Sequence, residues 1–395
     1  MQHITTGSLA SMLPHRVQEL SSSQIGLVAD LGRDDPSVIK LWIGEGDLPT
    51  PPFIIDAARV AMEAGHTRYT YALGLPELRE ALSAYHNRHW GVNIPANRFA
   101  ITAGGMNAIM QTAQALLDAG DEIIIPSPAW GNLTEAVRTT GGVPVAVPYR
   151  LDSGGRFSLR LDDILAAITD RTKIIAINSP SNPTGWIMPL GEMEALRDVA
   201  RERGLWILAD EVYAHFVYGN ALAPSFLQIC NDRDLLIVCN TFSKNWAMTG
   251  WRAGWLVYPT GLDNTFAKLG NYNTTSIPTF IQHAAVTALN EGDEFIRNMV
   301  VRCTESRAIL TEGLSRLKSV SVFPPAGSFY LMARVDTGES SLDIAIRLLR
   351  EAKVGVAPGT AFGADGAGFI RICFAISPEL AREAVNRLTG FFGLK

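Results

Sequence analysis

Residues 235–258 read Leu-Leu-Ile-Val-Cys-Asn-Thr-Phe-Ser-Lys-Asn-Trp-Ala-Met-Thr-Gly-Trp-Arg-Ala-Gly-Trp-Leu-Val-Tyr: two apolar runs around a polar middle. A run of β-branched and leucine residues is the pattern of a strand buried on both faces, which places Thr241-Phe242-Ser243-Lys244 where that strand opens into a loop. In an α/β sheet that edge is where ligands sit. A lysine beside the hydroxyls of Thr241 and Ser243, with Arg252 close in sequence, suits a carbonyl cofactor that carries a phosphate. The amine can form an imine, and the hydroxyls and guanidinium can hold the dianion. Most lysines are solvated surface residues. This one, among only seven in the chain, is flanked on both sides by core-forming sequence.

The 395 residues suit a large α/β domain plus a smaller one. Hydrophobic content of 47% and charged content of 18% indicate an ordered globular protein with surface to spare for an oligomer. A net charge of -5 and a pI near 5.8 give no basic footprint, so neither nucleic acid nor an anionic membrane is an expected partner. Cys230, Cys239, Cys303 and Cys373 lack metal or redox spacing, which fits a reducing cytoplasm and argues against a bound metal. The N-terminus lacks a cationic segment followed by an apolar one, and no stretch approaches the roughly 18 apolar residues of a membrane span. A soluble, cytoplasmic protein is expected.

Along the chain, residues 1 to about 40 are polar with a helical pattern, and Ser21-Ser22-Ser23 offers a helix start before Ile25, Leu27, Val28 and Leu31. Glycines and prolines in 44–52 mark a loop crossing between domains. Short apolar runs then alternate with amphipathic helices, the pattern of a mainly parallel sheet between helices. Seven strands are expected near 98–102, 122–126, 143–147, 173–177, 205–209, 235–239 and 252–257. Later come a strand in 328–335, a helix near 341–351 and a strand at 369–374. The expected division is an N-terminal arm with part of the small domain (1–51), a large α/β domain (52–290) and a small α+β domain (291–395).

Several motifs fall at the ends of these strands. Thr102-Ala103-Gly104-Gly105-Met106 passes from strand to helix, so it is either a plain tight turn or a phosphate cradle of free N–H groups at a helix start. Trp130 follows the strand ending at Pro126 and either fills core or faces a ligand. Asn178 to Gly185 reads as a turn. Asp210 ends the apolar run 205–209 and needs a partner, whether as a helix cap or as a site acid. Arg371 is a charge inside an apolar strand and calls for an anion, from a salt bridge or a substrate.

Taken together, Ser243-Lys244 with Met248-Thr249-Gly250-Trp251-Arg252, Asn182-Pro183-Thr184-Gly185, and Tyr69 with Gly74, Leu78 and Arg79 resemble the class I/II aminotransferases. These are pyridoxal phosphate (PLP) enzymes of fold type I. The resemblance spans nearly the whole chain. It implies that Lys244 forms the imine with PLP, that Asp210 pairs with the pyridine nitrogen, and that Tyr213 and Asn182 bond the phenolic oxygen. Gly104, Gly105, Met106, Thr241, Ser243 and Arg252 would hold the phosphate, and Trp130 would stack on the ring. Tyr69 would reach the phosphate of a neighbouring subunit, making a homodimer with shared sites. Gly44, Trp130, Asn182 and Arg371 would meet the substrate, Arg371 through its α-carboxylate. A cis bond before Pro183 is also implied. In 44–47, Gly46 stands where the family has proline.

The function implied is transfer of an amino group from an L-amino acid to a 2-oxo acid by a ping-pong route through pyridoxamine phosphate. A carbon-sulfur lyase or related eliminating enzyme on the same fold is the alternative. A regulator with an aminotransferase-like domain would need a DNA-binding module, which no stretch resembles. Ile25, Met106, Asn107 and Ile109 suggest a mostly neutral substrate pocket, and Glu211 reads as structural.

Overall fold

The computed structural model describes residues 9–152, 155–219 and 222–393; residues 1–8 of the expected N-terminal arm lie outside the described part. Seven strands form the central sheet: β1 Phe99–Thr102, β2 Glu122–Ser127, β3 Val143–Pro148, β4 Thr172–Asn178, β5 Trp206–Asp210, β6 Leu236–Thr241 and β7 Gly254–Val257. Their order is β1-β7-β6-β5-β4-β2-β3, parallel except that β7 runs against both neighbours. Each strand lies within two residues of its expected position. The apolar runs are continuous because successive side chains enter two different cores. Ile124, Ile175, Ile207 and Val238 pack on one face, and Ile123, Ile174, Leu208 and Ile237 on the other.

The register sets the site. Asn178 pairs with Asp210, Asp210 with Cys239, and Gly254 with both Thr102 and Thr241. The carboxyl ends of β1, β4, β5 and β6 therefore meet at one edge, where β7 begins. Strand β7 starts two residues later than the sequence suggests, because Thr249–Trp251 forms a 3-10 turn and Arg252 adopts a left-handed φ of 54°.

A third core gathers Val28, Ile39, Trp42, Leu310, Leu331, Ile370 and Leu388. It lies beside a four-stranded antiparallel sheet, β8 Val320–Val322, β9 Tyr330–Val335, β10 Ala357–Pro358 and β11 Phe369–Cys373, in the order β8-β9-β11-β10. Helices Gln24–Gly32, Asp293–Ser315 and Pro378–Phe392 contribute to this core. Ser23 caps the first of them by accepting the Gly26 amide at 3.1 Å. The helix expected near 341–351 runs from Ser341 to Arg347 and then widens into a π turn over Leu348–Ala352. Strands β8 and β10 are too short to show in the sequence. Among the described residues, no helix is long and apolar enough to cross a membrane, no cluster of acids, histidines and cysteines could hold a metal, and all four cysteines are free.

Candidate active site

Lys244 lies on the four-residue helix Phe242–Asn245 that leaves β6. Thr241 caps this helix: its Oγ1 accepts the Ser243 amide at 3.1 Å and donates to the Ala253 carbonyl at 3.0 Å. Lys244 Nζ donates to the Gly44 carbonyl at 2.5 Å. Burial brings its pKa down to about 8, with Arg371 and Arg252 pushing the same way and Glu45 opposing them.

Asp210 is buried at the end of β5, where its Oδ1 accepts the Val212 amide at 3.3 Å. Burial raises its pKa to about 6, moderated by that amide and by the charge of Lys244. The neighbouring Glu211 is spent on structure, accepting from Ser225 Oγ at 2.7 Å and the Phe226 amide at 3.0 Å.

The opposite end of the site is built by close backbone approach. Gly104 has a φ of 81°, and helix Gly105–Leu116 starts directly after it. A Cβ on Gly104 would come within 2.6 Å of Arg252 Nη2, so the guanidinium lies against the turn. A Cβ on Gly254 would stand 2.8 Å from the Gly104 carbonyl carbon and 2.9 Å from the Gly105 amide nitrogen. Only glycine permits this contact between strand and turn. Asn107, expected at the pocket, instead closes the turn: its Oδ1 accepts from the Ala103 amide at 3.1 Å and Gln111 Nε2 at 2.9 Å.

A third wall carries Arg371, which is 2% exposed. Its Nη1 donates to Asn182 Oδ1 at 3.1 Å, its Nη2 to the Trp42 carbonyl, and its Nε has no partner. The guanidinium packs 4.3 Å from the Tyr330 ring centre. Asn182 is fixed in turn by Asn178, whose Oδ1 accepts the Asn182 amide at 2.7 Å, and the Asn182–Pro183 bond is cis, as expected. Tyr213 Oη lies 2.7 Å from Tyr330 Oη, and both hydroxyls stay protonated because burial raises their pKa. A side chain at Gly44 would meet Tyr330 Oη, which explains the glycine there.

These groups line one cavity of about 470 Å³, which holds Gly44, Gly105, Met106, Trp130, Asn182, Asp210, Tyr213, Thr241, Ser243, Lys244, Arg252 and Arg371 in its wall. Gly104 lies just behind it against Arg252. Tyr69 stands apart, 92% exposed and away from the cavity of its own chain. Tyr330 and Trp42 belong to the site but carry no local signal in the sequence, and Asn178, which reads only as part of a turn, lines the cavity and orients Asn182. Outside the cavity lining, Tyr85 also lacks such a signal; its hydroxyl lies 2.5 Å from His215 Nε2.

One end of the cavity offers hydroxyls, a helix start and a guanidinium, the other a carboxylate, and a lysine of lowered pKa stands among them. The donors fit a phosphorylated pyridine aldehyde, and with this sheet they define a PLP-dependent enzyme of fold type I. The profile of aminotransferase class I and II matches residues 36–388. The chain is 34% identical to the probable aspartate/prephenate aminotransferase of Aquifex aeolicus, covering 96% of this chain and 97% of that protein. Among solved structures, Thermus thermophilus aspartate aminotransferase with maleate superposes with a TM-score of 0.87 at 33% identity, covering 96% and 99% of the two chains. Alanine aminotransferase from Pyrococcus furiosus superposes with a TM-score of 0.88 at 29% identity, covering 96% and 99%. The chain belongs to the class I and II aminotransferases. It is a PLP-dependent transaminase acting on amino acids and 2-oxo acids, and these relatives lend the eliminating alternative no support.

Proposed function

We propose that amino-group transfer takes place between Lys244 and Arg371, at the junction of a large domain (52–290) and a smaller one formed by 1–51 with 291–395. The separate apolar cores on either side of the cavity support this division. When bound, PLP supplies the electron sink that lets the Cα–H bond break and carries the nitrogen between the two half-reactions. The Gly104-Gly105-Met106 turn, Thr241, Ser243 and Arg252 would hold its phosphate, and Trp130 would pack against its ring. Asp210 would balance the charge of the ring nitrogen, while Tyr213, backed by Tyr330, and Asn182 would donate to the phenolic oxygen. Asn182 can do so through its nitrogen because its oxygen is engaged by Arg371. Lys244 Nζ moves the proton at Cα. A pKa near 8 keeps a useful fraction of the amine neutral near neutral pH.

The observation that carries this reading is Arg371: a buried guanidinium on the cavity wall whose hydrogen bonds go to neutral oxygens. Such a charge awaits an anion, and the α-carboxylate shared by every amino acid and 2-oxo acid fits it bidentately. Gly44 lies at the same wall. The test is Arg371→Leu, which should raise KM for every amino acid while bound PLP keeps its absorbance. Unchanged KM values would return Arg371 to a structural role.

A homodimer completes the site in this reading. Tyr69 is 92% exposed and Tyr272 83% exposed, and Ile55, Val60 and Met62 on helix Pro52–Glu63 are also open to solvent. Large apolar side chains left open to solvent suit a partner copy, and Tyr69 would then reach the neighbouring phosphate. Free cysteines suit a reducing cytoplasm.

A further inference from the structure

The charged side chains on the cavity wall are Glu45, Asp210, Lys244, Arg252 and Arg371. With the roles given above, each cation is already committed: Arg252 to phosphate, Lys244 to the reacting centre, Arg371 to the α-carboxylate. The rest of the lining is uncharged and includes Ser23, Ile25, Ile43, Met106, Ile109 and Asn132. Among the described residues the wall carries no further cation: Glu45 on it is acidic, and Arg138, which lines the adjoining cavity with Ser23, Ile25 and Asn132, is paired with Glu135 at 2.5 Å. Ile25 and Ser23 arrive from the start of helix Gln24–Gly32, and Asn132 from the start of helix Gly131–Thr139, so separate elements build one neutral surface.

We infer that this wall is the side-chain subsite and that it selects a neutral side chain, apolar or ending in an amide or hydroxyl, over a carboxylate. The inference rests on the roles of Lys244 and Arg371. A second carboxylate would give up part of its water against Ile25, Met106 and Ile109 with no counter-ion on this wall and with Glu45 nearby, whereas an apolar side chain gains by leaving water and an amide or hydroxyl has no charge to desolvate. A terminal amide could also bond to the Asn132 amide and the Ser23 hydroxyl. The Ser23 oxygen accepts the Gly26 amide, so its O–H remains to donate. Both half-reactions use the same wall, so the acceptor is expected to be a monocarboxylic 2-oxo acid. The site would then differ in preference from relatives named for aspartate.

The test compares near-isosteric pairs on the PLP-loaded enzyme: glutamine with glutamate, asparagine with aspartate, and methionine as the apolar reference. The rate of change in cofactor absorbance is read against amino acid concentration without acceptor. The neutral member of each pair should have a kcat/KM at least about tenfold higher, since a buried group left unpaired is rejected more strongly than a missing methylene. Asn132→Arg, at an exposed position, places a cation on the wall and should raise the glutamate-to-glutamine ratio at least about tenfold. Glutamate handled as well as glutamine by the unaltered enzyme, including through a cation reaching in from a second copy, would overturn the subsite alone. So would an unchanged ratio in Asn132→Arg. An enzyme that converts none of these amino acids would overturn the roles of Lys244 and Arg371, and the subsite with them.

Discussion

Arg371, Asp210 and Lys244 each hold charge where solvent is scarce, and each costs the empty protein something that a ligand would recover. Truncating Arg371 to leucine should weaken the transition state by about 3 to 5 kcal/mol, the usual loss when one partner of a buried charge pair is removed. Kinetics on several amino acids measure this loss. The same variant should leave the apo protein close to wild type in thermal denaturation, because removal of a buried charge without a carboxylate partner offsets the two acceptors, Asn182 Oδ1 and the Trp42 carbonyl, that lose their donor. Asp210 titrates near 6 when folded against an ordinary 3.8, so the folded apo protein takes up its proton first as pH falls. Between those values protonation favours the fold, and above about 6 the buried charge works against it. A protonated Asp210 cannot balance a cationic ring nitrogen. PLP reconstitution should therefore weaken as pH drops through about 6, and Asp210→Asn should flatten that dependence. Lys244→Ala should keep the fold, since the side chain contributes little packing, and lower turnover by about 10²-fold or more through loss of the proton-transfer group alone. At this scale the sequence was legible wherever a polar residue interrupted apolar sequence, as at Lys244, Asp210 and Arg371. Tyr330 and Tyr85 were not legible, because an aromatic on an apolar strand or on the inward face of a helix looks like core until a distant hydroxyl or imidazole is placed beside it.

Alignment of strand ends turns scattered motifs into one site. Gly254 locks β7 against the Gly104-Gly105 turn, where a methyl group would meet backbone at 2.8 Å on two sides. Backbone cannot yield as a side chain can, so Gly254→Ala should cost about 1 to 3 kcal/mol and weaken PLP binding more than amino acid binding. Denaturant melts and PLP titration separate the two effects. Tyr85, on helix Pro76–Trp90, bonds His215, and burial lowers the His215 pKa to about 3, leaving a neutral acceptor for the phenol. Tyr85→Phe should cost about 1 to 3 kcal/mol by leaving that nitrogen unsatisfied. The seven strands could be read from their apolar runs because both faces of the sheet are covered. The reversed direction of β7 could not, since hydrophobicity carries no polarity of chain direction. Strands β8 and β10, with three and two residues, are held by neighbours distant in sequence and leave no period to detect.

Across the whole molecule, the cavity is flanked by apolar cores that the chain assembles from segments far apart: residues 28–42 pack with residues beyond 299. Composition hinted at a smaller second domain, but which N-terminal residues join it depends on contacts such as Ile39 with Val354. The shared site proposed for a homodimer is testable by subunit complementation. Subunits carrying Lys244→Ala and Tyr69→Ala, each impaired alone, should regain activity when mixed and refolded together, because a hybrid dimer holds one site with neither lesion. Absence of recovery would place Tyr69 outside the site. The central claim is that the nitrogen taken from the substrate stays with the enzyme until an acceptor arrives. Its most direct measurement mixes PLP-loaded enzyme with excess amino acid and no 2-oxo acid, following oxo acid and ammonia together. One equivalent of oxo acid per site should form and the reaction should stop, resuming only when a 2-oxo acid is added. Continuous ammonia release without an acceptor would contradict the account.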